Sequence, residues 1–233
     1  MDYIAANANT IYWVVFIAIM LFSWAVSASL EHKFKRYSKV ALPLTGKEVA
    51  EKMLRDNGIT DVQVTCIKGR LTDHYNPADK TVNLSEAVYS QATVAAAAVA
   101  AHECGHAVQH AQEYAPLKLR SALVPAVDFA SRWLTWVLLA GMLLIGVFPQ
   151  VMEVGIGLFA LTTLFSFITL PVEINASKRA IDWLQEAGIT NSETTPMATS
   201  ALRSAAYTYV VAALSSLATL VYYILILVGN RRD

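Results

Sequence analysis

The chain predicts a mainly α-helical, polytopic membrane protein, with about four transmembrane helices and a small α+β domain holding a short β-hairpin or sheet. Three observations predict it. Hydrophobic residues fill 55% of the 233 positions and charged ones only 15%, against about a quarter charged in an ordinary soluble domain; mean hydropathy is +0.43. The apolar residues gather into runs of membrane-crossing length instead of being dispersed. Between the first and second of these runs lies a polar segment broken by turn signals, where helical and alternating patterns both occur.

The first run, 11–30, reads "IYWVVFIAIMLFSWAVSASL" and carries no formal charge, which suits a helix crossing the hydrocarbon core. A cleaved signal peptide would need Lys or Arg ahead of the apolar stretch, and Asp2 stands there instead. Lys33, Lys35, Arg36 and Lys39 follow the run. The expectation is a retained anchor with its N-terminus outside.

The polar segment, 42–91, opens with "LTGKEVAEKMLRDNG", a short helix. Thr45 and Glu48 form a capping box, Val49, Met53 and Leu54 an apolar stripe, and Asn57-Gly58 a stop. Val62, Val64 and Cys66 then alternate with polar residues, as do Val82 and Leu84, so two short strands are expected, with turns at Lys68-Gly69 and Asn76-Pro77. From Ser85 to about Gln112 the alanine-rich chain predicts one helix, closed by Pro116. Polar residues at helical spacing mark it as buried in protein rather than facing lipid.

Two apolar runs follow, 133–148 and 154–172, joined at Pro149-Gln150 as a helical hairpin. The stretch 173–203 is polar, and 205–228 is the last run. If the hairpin crosses twice, 31–132 and 172–204 share one face and hold 13 and 3 of the Lys/Arg residues. The positive-inside rule puts that face in the cytoplasm. Lys178, Arg179 and Arg132 near the spans agree, whereas Arg231 and Arg232 at the other end do not. Lys+Arg and Asp+Glu balance at 18 each, so net charge points to no nucleic-acid partner. Two cysteines make no disulfide framework. Cys104 is expected to be a small buried side chain turned away from the histidine stripe.

The chemistry concentrates in "VAAHECGHAVQH", 99–110. His102 and His106 stand one helical turn apart on one face, so both imidazoles can reach one metal ion. Glu103 is offset around the helix: a poor third ligand, but well placed for a water at the metal. His-Glu-x-x-His therefore supplies two zinc ligands and a general base from five residues. A hydrolytic zinc site needs a third protein ligand and one open position. A third histidine six residues beyond His106 is excluded, because Gln112 stands there, and His110 lies too far along the helix. Glu173, in "LPVEINASKRAIDWL", is the better candidate. It is the first acidic residue after the hairpin, and a carboxylate at the end of a span tends to be functional. The alternative is a membrane-edge glutamate capping a helix N-terminus.

"AAHECGHAVQH", "LTDHYNP" and "EINASKRA", in that order, resemble the bacterial neutral zinc membrane peptidases of the YugP type. The likeness spans nearly the whole chain, including the four-span layout. More distantly the chain is similar to the HtpX-type membrane peptidases. The resemblance implies a gluzincin-like zinc-peptidase domain, with His102, His106 and Glu173 as zinc ligands and Glu103 as base. HtpX-type enzymes carry Asp four residues past the glutamate ligand. This chain has Ser177, which can orient a histidine but adds no charge; Asp182 is a substitute.

His74 and Tyr75, in "LTDHY", stand open to three readings. They lie on a rim strand that pairs with an extended peptide and presents His74 or Tyr75 to the developing oxyanion; or Asp73 or His74 holds a ligand histidine; or Asp73 and Asn76 only cap local backbone. His74 accompanies Glu103 as a candidate catalytic residue. Tyr207, Tyr209 and Arg203 stand at the start of the last span, either facing the same cavity or, for "YTYV", forming an interfacial aromatic belt, the preferred reading.

The expected organisation is an N-terminal anchor over 1–32, a cytoplasmic zinc-peptidase part over 33–126, a transmembrane hairpin over 127–172, a third-ligand helical segment over 173–204, and a C-terminal transmembrane helix over 205–233. The expected function is a zinc metalloendopeptidase of the bacterial inner membrane, cleaving membrane or membrane-associated proteins at a site facing the cytoplasm. Its partners are a protein or peptide substrate and the lipid bilayer, with a homo-oligomer or membrane-protein partner left open. The alternative is a non-proteolytic membrane scaffold with a structural zinc site. A zinc carrier would place ionisable residues in mid-span, and the spans hold almost none.

Overall fold

The computed structural model describes residues 2–230, with side chains at Thr10 and from Trp13 onward. Arg231 and Arg232 lie outside the described residues. The elements are α1 (Asp2–Tyr37), α2 (Gly46–Asp56), β1 (Gln63–Ile67), β2 (His74–Asn76), β3 (Thr81–Ser85), α3 (Glu86–Tyr89), α4 (Val94–Ala111), α5 (Ala115–Leu144), α6 (Pro149–Glu186) and α7 (Thr194–Asn230). The mainly helical expectation holds, as does the small sheet. The chain forms two compact units.

The apolar unit comprises Leu119–Leu170 and the described parts of Met1–Ala25 and Thr208–Asp233. It draws on all four of the helices long and apolar enough to cross a membrane. Gly141 lets α5 approach α6 closely, since a Cβ there would meet the Met152 Cα at 2.7 Å; small residues bring backbones together where lipid provides no hydrophobic drive. Thr163 Oγ1 and Ser216 Oγ, 2.7 Å apart, tie α6 to α7. Large apolar side chains such as Trp24, Trp136 and Leu143 point outward, an arrangement that lipid tolerates and water does not.

The second unit comprises Val26–Lys118 and Pro171–Tyr207. Its centre is α4, whose alanines at 95–98, 100 and 101 are almost wholly buried. Alanine serves here twice, as the strongest helix former and as a side chain short enough for neighbours to pack on every side. Against α4 lies α2, whose predicted capping box is present: Thr45 Oγ1 accepts from the Glu48 N–H, and Glu48 Oε2 accepts from the Thr45 N–H. Val49, Met53 and Leu54 are buried as their spacing predicts, and Gly58 follows the helix end at φ +70°. The Cys104 thiol is buried and donates to the Ala50 carbonyl. Burial pushes its pKa up, which keeps it an unreactive packing group.

The sheet is mixed, in the order β1-β3-β2. β1 runs parallel to β3, and β2 returns antiparallel to it. The turn between β2 and β3 is the expected one at Asn76-Pro77, where Asn76 Oδ1 accepts from the Ala78 N–H at 3.0 Å. Central β3 buries Val82 and Leu84, and β2 is an edge.

The structure departs from the sequence expectation at Ser85–Gln112, which is not one helix. Residues 90–93 interrupt it because their backbone groups pair with the segment before α2. Leu42 N–H donates to the Ala92 carbonyl, Gly46 N–H to Gln91, and Val94 N–H to Val40. Thr93 then caps α4, accepting from the Ala96 N–H at 3.3 Å. Alanine content cannot reveal this break, since it depends on pairing with a distant strand-like segment.

α6 has 38 residues, or about 57 Å at ~1.5 Å per residue, far more than the ~30 Å of a hydrocarbon core. It begins with Pro149, a residue pre-set for the first helical position, and continues past Pro171 into the polar unit. Glu173 therefore sits within a continuous helix, not at a helix N-terminus.

Candidate metal centre

α4 places His102 and His106 on one face, their ring centroids 4.8 Å apart and the rings nearly perpendicular at 82°. α6 brings Glu173 against them: its Oε2 lies 3.3 Å from His102 Nε2 and 3.6 Å from His106 Nε2. The three donor atoms lie within 4.8 Å of one another, the one such metal-ligating group among the described residues. Glu173 is 4% exposed, and its Oε2 has no hydrogen-bond partner. A buried, unpartnered carboxylate oxygen facing two imidazole nitrogens calls for a cation between them. Donors held about 2.0–2.1 Å from a tetrahedral zinc would stand roughly 3.4 Å apart, which the two carboxylate–imidazole distances match. The nitrogen–nitrogen–oxygen set thus fits zinc, and it leaves a fourth position. His102 and His106 keep 14% and 12% of their side-chain surface exposed, against 5% for Glu173, so the solvent-facing side of the cluster is the histidine side.

Gly105 makes this meeting of helices possible. A Cβ there would stand 2.7 Å from the Ala176 carbonyl oxygen and 3.2 Å from that residue's Cα and carbonyl carbon. These are backbone atoms that cannot rotate away. Gly105→Ala is therefore expected to push α6 off α4 and cut zinc affinity at least tenfold, as outer-shell damage does at metal sites. Isothermal titration with zinc checks this, with Gly157→Ala as the control, because nothing lies within 4 Å of a Cβ there.

Each histidine is oriented through its second nitrogen. His102 Nδ1 lies 3.1 Å from Ser177 Oγ, so the serine at this position does hold a histidine, without adding charge. Asp182 is exposed. His106 Nδ1 pairs with Gln109 Oε1 at 3.0 Å. Burial opposes a charged His106, but the facing Glu173 carboxylate, the charge of Glu103 and the Gln109 amide oxygen outweigh it and raise the imidazole pKa above its ordinary value.

Glu103 is buried beside the trio without joining it, and its Oε2 accepts from the Tyr75 backbone N–H of β2 at 3.1 Å. The edge strand and the motif helix therefore meet at this carboxylate. His74 is exposed and engages its own surroundings, its Nδ1 2.8 Å from the Thr72 carbonyl and its Nε2 3.3 Å from Asn83 Nδ2. Tyr75 turns its hydroxyl to His110 Nδ1 at 2.8 Å, on the exposed side of α4. Asp73 accepts from the Ser85 N–H and hydroxyl, at 2.7 and 3.1 Å, and fixes the strand end. His102 and His106 are thus held by Ser177 and Gln109 rather than by Asp73 or His74. Tyr207, Tyr209 and Arg203 are exposed on α7.

A family model described as "Putative neutral zinc metallopeptidase" matches residues 12–228, almost the whole chain. The chain belongs to this family. It is also similar to the "Putative membrane protease YugP" of Bacillus subtilis (strain 168), with 39% identity over 219 residues, 93% of this chain and 96% of that protein. No solved structure matched. Membership in a zinc metallopeptidase family agrees with the resemblance carried by the three motifs, and the family's metal agrees with the donor set built by α4 and α6.

The motif pattern passed over three residues that shape the site: Gly105, Gln109 and Asn175, whose Oδ1 lies 3.0 Å from Gln109 Nε2. A polar side chain one turn past a candidate ligand, on an otherwise alanine-lined helix, is the signal that could have marked Gln109.

Proposed function

We propose that the protein is a zinc-dependent membrane endopeptidase that hydrolyses peptide bonds of membrane or membrane-associated proteins. His102, His106 and Glu173 would hold the zinc, and Glu103 would act as general base. The observation that carries this reading is the unpartnered Glu173 Oε2 facing two imidazole nitrogens on a helix whose neighbouring carboxylate lies just outside the cluster. Bound zinc supplies a Lewis acid toward water and toward the scissile carbonyl. Glu103 takes a proton from the attacking water as the new C–O bond forms, then delivers it to the departing amine nitrogen as the C–N bond breaks. The Tyr75 N–H holds one Glu103 oxygen, which fixes the carboxylate's direction and leaves the other oxygen for the proton. His74 remains a rim residue in this reading, since both its ring nitrogens already have partners.

Two further features support catalysis over a structural zinc site. The trio supplies three protein ligands where structural sites supply four, and its histidines reach solvent. The charges flanking the spans support a multi-pass protein of the bacterial inner membrane, with the site facing the cytoplasm.

Removal of the metal tests the reading. The protein purified in detergent is expected to cleave an unfolded polypeptide, to lose that activity on chelation, and to regain it with one equivalent of zinc. Cleavage that survives complete chelation would overturn it.

A further inference from the structure

Resting on the zinc reading above, we infer that Gln109 is a positioning residue that locks His106 as the Nδ1–H tautomer, with its polarity set by the Val172 carbonyl and by Arg179 acting through Asn175.

An amide side chain can face a histidine with either end, so its direction must be decided by other groups. Gln109 is 0% exposed, so bulk solvent does not accommodate the wrong choice. Its Nε2 lies 2.8 Å from the Val172 carbonyl oxygen, which can only accept. The same Nε2 lies 3.0 Å from Asn175 Oδ1. Asn175 is in turn oriented by Arg179, whose Nε donates to Oδ1 at 2.7 Å. A guanidinium has donors and no acceptor, and it stays charged at any ordinary pH. Arg179 is itself held by Gln112 Oε1 at 2.6 Å and by the face of Tyr114 at 5.9 Å.

The direction then propagates. Arg179 makes the Asn175 oxygen an acceptor, so Gln109 must donate to it. With Nε2 committed to two acceptors, Gln109 turns Oε1 toward His106 Nδ1 at 3.0 Å. His106 Nδ1 therefore carries the hydrogen, and Nε2 presents its lone pair to Glu173 Oε2. Reversing the amide would set its oxygen against the Val172 and Asn175 oxygens, and that conflict is what fixes its direction. His102 has no such constraint, because the Ser177 hydroxyl can donate or accept. The two ligands thus differ: one is pre-set for metal, and the other adapts.

The test reads the His106 tautomer in the metal-free protein by NMR of its ring nitrogens, at alkaline pH where the imidazole is neutral. The wild-type protein is expected to show a protonated Nδ1 and a pyridine-like Nε2. Gln109→Leu should give a mixture of tautomers and a zinc affinity lower by about 10–100-fold, the usual cost of removing a ligand's outer partner. Arg179→Met should shift the tautomer in the same direction by less, since the Val172 carbonyl remains. An Nε2–H tautomer in the wild-type protein would overturn the inference even if the variants did not fold, as would an unchanged tautomer in folded Gln109→Leu. A wild-type protein that binds no zinc would sink the proposed function and leave the tautomer result standing.

Discussion

Glu103→Gln is expected to keep its zinc and lose its peptidase activity. The carboxylate is buried and lies outside the ligand trio, so the metal keeps all three protein donors. The glutamine amide oxygen can accept the Tyr75 N–H in place of Glu103 Oε2, which preserves the contact between edge strand and helix. The variant cannot take a proton from water or return one to the departing nitrogen. General acid–base catalysis is worth on the order of 10²–10⁴-fold, about 3–5 kcal/mol of barrier. Turnover should fall by that factor, while metal content and the thermal midpoint stay near wild type. Paired measurement of bound zinc and of cleavage rate decides the matter, and equal cleavage by the variant would end the reading of Glu103 as base. A zinc scaffold with no catalytic role predicts no change in either quantity.

Glu173→Gln should produce the complementary result, with metal lost first and activity following. The substitution keeps the side chain's volume in a tightly packed site and removes the charge that faces the two imidazoles. Loss of an anionic ligand should exceed the ~10–100-fold cost of an outer-shell change. The effect can be read without any substrate. Zinc at about a thousand times its dissociation constant stabilises the wild-type fold by roughly 4 kcal/mol, and a hundredfold weaker site would gain only about 1.4 kcal/mol at the same concentration. The zinc-induced rise in unfolding midpoint should therefore shrink markedly in the variant. An unchanged rise would show that Glu173 is not a ligand.

Much of the architecture was legible because it rests on local rules. The spans follow from apolar runs that no soluble fold would tolerate at this density. The α2 capping box needs only Thr45 and Glu48 three residues apart, and the structure shows both of its hydrogen bonds. Val82 and Leu84 alternate inward on β3 as their spacing requires. The break ahead of α4 was hidden, because its cause is a pairing with residues 40–46 that are remote in sequence. The continuity of α6 through Pro171 was equally hidden, since a proline reads as punctuation wherever neighbouring helices do not hold the chain.

The His102–Glu103–His106 spacing by itself determined that one helix turn offers two imidazoles on one face and a carboxylate beside them, since helical periodicity alone puts those groups there. Only the tertiary structure decided which distant residue comes to face that pair. Glu173 reaches the histidines because Gly105 lets two backbones come within van der Waals contact. His106 turns Nε2 toward it and Nδ1 toward Gln109, whose buried amide in turn meets groups on another helix. Spacing along a chain sets which side chains can share a face, whereas the approach of two helices and the polarity of a buried hydrogen bond depend on partners that only folding brings together.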